Sequence, residues 1–252
     1  MIKKIKNLIS FLTIFPVGMT DDCLVDASNL MYLFPVVGAL IGFIAGLFAF
    51  ALTYILPTMM VGVMVCGLIL LLTRLHHMDG LLDFGDGLMC QGPPEKKIEV
   101  MHDKQTGTGG FMLGVVTFLV TALCISHFKP YMVLQSLIAS ETFAKFSMVI
   151  LAWSGTSAHE GMNTYFINAM HGHHRNLRLG ASLAISLAIA FLTLRIVGLI
   201  ALVASIIAAL VILLISNNHF GGVTGDVMGA SNELTRMASL LSILALASTS
   251  YV

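Results

Sequence analysis

The chain has 252 residues, of which 57% are hydrophobic and only 10% are charged, and its formal net charge is zero. Together with a mean hydropathy of +0.93, this excludes an ordinary soluble domain, in which about 25% of residues are charged. No basic tract indicates nucleic-acid binding. The composition predicts an all-α, polytopic integral membrane bundle of about six to seven transmembrane helices, forming one domain over 1–252 in the lipid bilayer. It leaves open whether the protein is a monomer or a homo-oligomer.

The chain begins with an amphipathic segment, 1–18, in which three lysines precede an apolar run. Because no small-residue cleavage site follows, we expect an interfacial segment and not a signal peptide. The next apolar runs, 33–56 and 59–75, are long enough to cross and recross a hydrocarbon core of about 30 Å. Small residues recur every four positions in the first run and favour close helix packing over a ligand role; they are Gly38, Gly42 and Gly46.

An acidic stretch, 75–88, follows directly, with carboxylates at spacings of four and three residues. On a helix, at about 100° per residue, Asp79, Asp83 and Asp86 fall within an arc of roughly 60°. Three like charges on one face favour a bound cation, and an oxygen-only set suits Mg²⁺. The alternative is a solvated acidic face. Ionisable groups beside membrane-length apolar sequence are, however, usually functional.

Two polar loops have the composition to receive an anion. In the loop 92–110, Lys104 precedes a Gly-Thr run whose backbone N–H groups suit phosphate at the start of a helix; its glycines are Gly107, Gly109 and Gly110. A flexible connection is the equal alternative. The loop 154–180 is rich in His and Arg. Its spacing gives little support to a zinc site, so we expect a basic patch for a phosphate-bearing substrate or for lipid headgroups.

Two further apolar runs, 111–128 and 131–153, predict a helical hairpin. The second run contains Glu141 and Lys145, four residues apart on one face. We interpret them as a structural ion pair, with a polar cavity near the metal as the alternative.

The run 181–215 is too long for one span, and Arg195 and Gly198 near its middle predict a tight hairpin of two short helices. A polar, glycine-rich loop, 216–236, comes next. The final apolar run, 237–252, is a short and marginal seventh span.

The distribution of Lys and Arg indicates the orientation. With the amino terminus in the cytoplasm, ten of these residues are cytoplasmic and only Lys129 and Arg195 lie outside, as the positive-inside rule requires in a cell membrane. The ten are Lys3, Lys4, Lys6, Arg74, Lys96, Lys97, Lys104, Arg175, Arg178 and Arg236. The same topology places the loops 76–110, 154–180 and 216–236 on the cytoplasmic face. We therefore expect one active site there.

Acids with bound Mg²⁺, basic residues and glycine-rich backbone together make a receptor for a diphosphate. The second glycine-rich block would contribute to phosphate binding through Gly221, Gly222, Thr224 and Gly225. Mg²⁺ stabilises a leaving phosphate, so these features predict a transferase with a diphosphate-activated donor. They do not identify the acceptor.

Two long motifs carry a resemblance to a known family. The stretch 75–88 reads LHHMDGLLDFGDGL and resembles the signature LHxDGLxDxxDGL of the cobalamin synthase family, the adenosylcobinamide-GDP ribazoletransferases. The block 221–234 reads GGVTGDVMGASNEL and resembles that family's GGxTGDxxGAxxEL. FLTIFP at 11–16 and FPVVGALIG at 34–42 match its amino-terminal pattern, so the resemblance spans the chain in order.

The resemblance implies a multipass enzyme of late cobalamin biosynthesis that acts in nucleotide loop assembly. Such an enzyme joins adenosylcobinamide-GDP to α-ribazole, or to its 5′-phosphate, in the presence of Mg²⁺. A ribose hydroxyl attacks the phosphate bonded to the corrinoid side chain. The products implied are GMP and adenosylcobalamin or its 5′-phosphate.

The resemblance also assigns site residues. The implied metal ligands, three in the acidic motif and one beyond it, are Asp79, Asp83, Asp86 and Asp103. The second block assigns Asp226 and Glu233, which would complete the metal shell or act as general base, and we favour Asp226 as the base. His76 is either oriented toward the acids or packed at a helix end. Arg236 stands where many relatives carry an acid, which argues against a catalytic role at that position.

Three other classes are the alternatives: a CDP-alcohol phosphotransferase, a membrane prenyltransferase and a divalent-cation transporter. The first expects a DG-AR arrangement and the second expects paired DxxxD motifs on two helices, and neither fits the acids of 79–86. A transporter would place its acids at the bilayer midplane, whereas these lie at the ends of predicted spans.

Overall fold

The computed structural model describes residues 1–18 and 20–249, and the regular elements in that part of the chain are helices. The predicted all-α class is therefore confirmed, while the last three residues of the predicted run 237–252 lie outside the described residues. In chain order the helices are α1 (Ile2–Leu12), α2 (Cys23–Asn29), a 3₁₀ turn (Met31–Leu33), α3 (Phe34–Leu52), α4 (Thr58–Leu72), α5 (His76–Met89), α6 (Pro94–Met101), α7 (Thr108–His127), α8 (Pro130–Ser154), α9 (Met162–His171), α10 (Arg175–Phe220) and α11 (Gly225–Thr249).

Four helices of the described part are long and apolar enough to cross a membrane. They are Met31–Leu52, which joins the 3₁₀ turn to α3, Thr108–His127, Pro130–Ser154 and Arg175–Phe220. The pair α4 and α5 adds a fifth crossing if it is one broken span, since its two helices meet at 96°. The outer faces of the spans carry exposed apolar side chains, as contact with lipid favours; examples are Leu40, Leu47, Leu119, Val203 and Ile207.

Helix α10 is a hairpin and not a straight rod. Its 46 residues are interrupted at Arg195, which has a left-handed φ of 52° and is exposed at the turn. Beyond the turn, a Cβ at Gly198 would overlap the carbonyl oxygen of Ala190, so the two arms pack backbone to backbone. The predicted tight hairpin is confirmed, and each arm is long enough to cross the hydrocarbon core.

Helix α8 lies at the centre of the bundle and is buried along most of its length. It packs against α3, α10 and α11. The predicted small face of α3 is confirmed, because Cβ atoms at Gly38 and Gly42 would overlap the carbonyl oxygens of Glu141 and Leu137. Glycine allows these two backbones to approach more closely than any other residue would.

A sharp bend turns α5 away from α4. Arg74 and Leu75 have left-handed φ values of 55° and 62°, which are uncommon for residues other than glycine. Within α5, a Cβ at Gly80 would lie 2.9 Å from Cα of Asp226 in α11, and a Cβ at Gly85 would lie 2.8 Å from the backbone of α7. The glycines of the acidic motif therefore let two other helices cross α5 at close range.

The last helix differs from the prediction. Helix α11 begins at Gly225 and, within the described residues, is not among the candidate spans, so the predicted seventh crossing over 237–252 is not found. Arg236 is only 1% exposed and lies inside the bundle, so counting it as a cytoplasmic flanking charge was wrong. Helix α11 packs against α5, α7, α8 and α10, which explains why it is enclosed by protein.

The buried partner of Glu141 is Arg236 and not the predicted Lys145. Arg236 donates hydrogen bonds to Glu141 of α8 and to Glu233 of α11. Lys145 instead donates from Nζ to Oδ1 of Asn232 at 2.6 Å. The physical reason is that the planar guanidinium fork can bind two carboxylates at once, whereas an ammonium group acts as a single point charge.

The variant Gly42→Ala tests the packing of α3 on α8. The added methyl group would overlap the backbone of α8, so we expect the free energy of unfolding to fall by about 1 to 3 kcal/mol. The measurement is the melting temperature of the purified protein in detergent. The control is Gly67→Ala on α4, where a Cβ meets nothing within 4 Å. An equal loss in both variants would contradict this packing.

Candidate active site

A cavity of about 210 Å³ lies where the start of α5 approaches the start of α11. The approach is close because a Cβ at Gly229 of α11 would lie only 3.1 Å from the backbone of α5. Asp79 of the acidic motif and Asp226 of the second glycine-rich block both line the cavity, together with His76 and Gly225. The two sequence motifs therefore meet at one place.

Four carboxylates repel one another near this cavity, and two of them, Asp79 and Asp226, line it. Burial, followed by repulsion from Asp226, Asp79 and Asp86, raises the pKa of Asp83 to about 7. Burial also raises the pKa of Asp226. Neither α5 nor α11 is one of the four helices that are long and apolar enough to cross a membrane on their own. Repulsion of this kind is what a bound cation relieves.

The carboxylate of Asp86 lies at the amino terminus of α7. Its Oδ2 accepts a hydrogen bond from the N–H of Gly107 at 2.6 Å, and its Oδ1 accepts one from the N–H of Gly110 at 2.8 Å. A helix amino terminus attracts an anion. Here the chain supplies its own carboxylate, so two of the three N–H groups predicted to bind phosphate bind Asp86 instead. At the third, Gly109, a Cβ would lie 2.6 Å from Met89, which indicates a packing role.

The second glycine-rich block connects α10 to α11 and is held by the loop after α8. Gly221 ends α10 with a left-handed φ of 72°. The N–H of Val223 donates to the carbonyl of Thr156 at 2.8 Å, and its carbonyl accepts a second bond from the same loop. Thr224 caps α11, because its Oγ1 accepts the N–H of Val227 at 3.1 Å. These contacts fix the backbone immediately before Asp226, the predicted general base.

Two histidines from separate loops meet near Asp226. The rings of His102, after α6, and His159, after α8, lie 4.9 Å apart between centroids and almost perpendicular to each other. Both rings oppose part of the rise in the pKa of Asp226, which places them within electrostatic range of it. The sequence predicted only a basic loop over 154–180. No motif links the two histidines, so their contact becomes visible only in the fold.

Other predicted site residues lie away from the cavity. Glu233 is 3% exposed, accepts a hydrogen bond from Arg236 and does not line the cavity. Asp103 is exposed, and its Oδ1 accepts the N–H of Gln105 at 3.1 Å. Lys104 is exposed on the same loop. A Cβ at Gly222 would lie 2.6 Å from a carbonyl oxygen of the loop after α8, which again indicates close packing.

The predicted acids do not form a complete metal cage. Within the described residues, no group of three or more His, Cys, Asp or Glu side chains is placed to hold a metal ion. The predicted set is dispersed because Asp86 binds the start of α7 and Asp103 faces solvent. The remaining donors still fit Mg²⁺, which usually takes one or two carboxylates and completes its shell with water and substrate phosphates. Asp79 and Asp83 on α5 meet that requirement.

Fold and site together define a polytopic, all-helical membrane protein whose two motif-bearing helices converge on one cavity. The sequence model of the cobalamin-5-phosphate synthase family matches residues 4–244 of the chain. The chain belongs to this family.

The chain is similar along almost its full length to proteins named adenosylcobinamide-GDP ribazoletransferase. The relative from Methanocella arvoryzae is 36% identical over 249 residues, which cover 94% of this chain and 93% of the relative. The relative from Archaeoglobus fulgidus is 32% identical over 245 residues, with coverage of 96% and 97%. The relative from Methanosarcina mazei is 30% identical over 256 residues, with coverage of 94% and 90%. No solved structure matches the chain significantly.

The variant Asp86→Asn tests the cap at the start of α7. The amide keeps one acceptor but loses the negative charge that the helix terminus favours, so we expect the free energy of unfolding to fall by about 1 to 2 kcal/mol. Thermal melting in detergent measures the effect. Asp103→Asn is the control, because this exposed side chain accepts a bond only from a neighbouring turn. If both variants melt like the wild type, Asp86 does not anchor α7.

Proposed function

We propose that this chain catalyses the reaction named for its relatives, the transfer of ribazole with adenosylcobinamide-GDP as the activated partner. The observation that carries the proposal is convergence: Asp79 on α5 and Asp226 on α11 come from the two family motifs and line one cavity. Asp83 of α5 lies within electrostatic range of both. Family membership over residues 4–244 supports the same activity.

In the proposed reaction the acceptor is α-ribazole or its 5′-phosphate. A ribose hydroxyl oxygen forms a bond to the phosphorus atom that carries the corrinoid side chain. The bond from that phosphorus to the bridging oxygen of the diphosphate breaks, and GMP leaves with this oxygen. The hydroxyl proton passes to the carboxylate of Asp226, which acts as general base. The products are GMP and adenosylcobalamin or its 5′-phosphate.

Asp226 suits the role of base better than the alternatives from the sequence. It lines the cavity, whereas Glu233 is bound to buried Arg236. His76 also lines the cavity and would orient the substrate there. The contact between His102 and His159 brings donors to the same region, where they would bind phosphate oxygens.

Mg²⁺ is the cation that the donor chemistry favours, held by Asp79 and Asp83. When bound, it would neutralise the diphosphate and stabilise the leaving phosphate. Asp86 would support this site indirectly by fixing the start of α7 beside α5. Asp103 and Lys104, exposed on the loop before α7, stay predicted contacts of the diphosphate.

We also propose that the amino terminus and the active site face the cytoplasm in the cell membrane. Helix α1 contributes Phe11 and Leu12 to the cavity wall, so the amino-terminal helix and the site share one end of the bundle. The lysines of α1 support a cytoplasmic position for that end by the positive-inside rule.

The proposed function is tested by GMP release from purified, detergent-solubilised protein. The reaction contains adenosylcobinamide-GDP, Mg²⁺ and α-ribazole, and each component is omitted in turn. We expect GMP and a cobalamin product only when all three are present. If a folded sample releases no GMP with α-ribazole or with its 5′-phosphate, the proposal fails.

The variants Asp226→Asn and Asp83→Asn test the two acidic motifs. Loss of a general base lowers turnover by about 10²- to 10⁴-fold, and we expect the turnover of Asp226→Asn to fall by an amount in that range.

We expect Asp83→Asn to lose Mg²⁺-dependent turnover while it still inserts into membranes. Asp21→Asn is the control for both variants, because Asp21 is exposed and is distant in the sequence from both motifs. Turnover like that of the control would remove either residue from the proposed site.

A further inference from the structure

The cavity beside Asp226 has an apolar wall that the chemistry of phosphate transfer does not require. Phe11 of α1, Phe34 of α3 and Phe166 of α9 line it, and so do Met31 and Met148. The ring of Phe166 lies 5.3 Å from that of Phe11 and 5.7 Å from that of Phe34, between centroids. Three separate elements therefore build one aromatic surface.

Polar side chains line the same cavity. Asp79, Asp226 and Asn163 line it, and so does His77. Because carboxylates and aromatic rings line one cavity, it suits a ligand that has both an apolar ring and a polar group. A lipid chain would bring no polar group to the carboxylates of Asp79 and Asp226.

The size of the cavity restricts the ligand further. An engineered protein cavity of about 150 Å³ binds benzene, and this one measures about 210 Å³. It suits a group somewhat larger than benzene, such as a fused bicyclic ring. The corrin macrocycle is far too large for it.

We infer that this cavity binds the flat heteroaromatic base of the nucleoside acceptor, with the aromatic wall against the base and the ribose directed toward Asp226. The inference rests on the proposed function and deepens it, since ribazole carries a bicyclic base. Phe11, Phe34 and Phe166 then determine which base is accepted. Met31 and Met148 adapt to its substituents, because methionine is flexible and polarisable.

The test compares Phe166→Ala and Phe166→Leu with the control Tyr165→Ala. Tyr165 is the neighbouring residue on α9 but is 50% exposed and does not line the cavity. We expect both Phe166 variants to raise the KM for α-ribazole roughly tenfold, since aromatic contacts are lost, and to leave the KM for adenosylcobinamide-GDP unchanged. Phe166→Leu keeps most of the side-chain volume, so it remains informative if Phe166→Ala does not fold.

Two outcomes overturn the inference: an unchanged KM for α-ribazole in Phe166→Leu, or an equal rise in Tyr165→Ala. Neither outcome affects the proposed transferase function, which GMP release by the wild type tests separately. If the wild type releases no GMP, calorimetric titration of α-ribazole into the wild type and into Phe166→Leu tests whether the cavity binds the base. Binding that weakens in the variant supports the inference, and absence of binding to the wild type refutes it.

Discussion

Arg236 donates hydrogen bonds to Glu141 of α8 and to Glu233 of α11 inside the bundle, where none of the three side chains is more than 3% exposed. Removing one partner of a buried ion pair leaves an uncompensated charge and costs about 3 to 5 kcal/mol. Helix α11 therefore cannot rotate or slide along α8 without a large loss of free energy. Since α8 is itself fixed against the glycine face of α3, the position of Asp226 at the start of α11 depends on this buried network.

Two kinds of side chain line the cavity that these helices enclose. The carboxylates of Asp79 and Asp226 line it together with aromatic and apolar side chains. Phosphate transfer requires little covalent chemistry from the protein, so correct placement of the acceptor hydroxyl supplies much of the rate. A base seated on the apolar side would place its ribose beside the acids and exclude water, which would otherwise compete for the activated phosphate.

The sequence predicted features that depend on periodicity and backbone geometry. The hairpin at Arg195 and the packing face around Gly42 follow from span length and from the spacing of small residues, and the structure has both. Spacing shows which face a side chain lies on but not what it meets. The partner of Glu141, the anchoring of Asp86 on α7 and the contact between His102 and His159 all join distant parts of the chain. A hydropathy pattern also cannot distinguish a polar helix enclosed by protein from a marginal span. For this reason the prediction of a seventh span over 237–252 was wrong.

The order in which these contacts form along the chain has a consequence for biogenesis. The two arms of α10 meet between Ala190 and Gly198, so this hairpin can close as soon as both arms have left the ribosome. The bond from Arg236 to Glu141 joins residues 95 positions apart and has to wait for α11. Until α11 docks, Glu141 lacks its hydrogen bonds from Arg236 and Asp226 is absent from the cavity. The helices that precede α11 can therefore assemble before Asp226 joins the cavity.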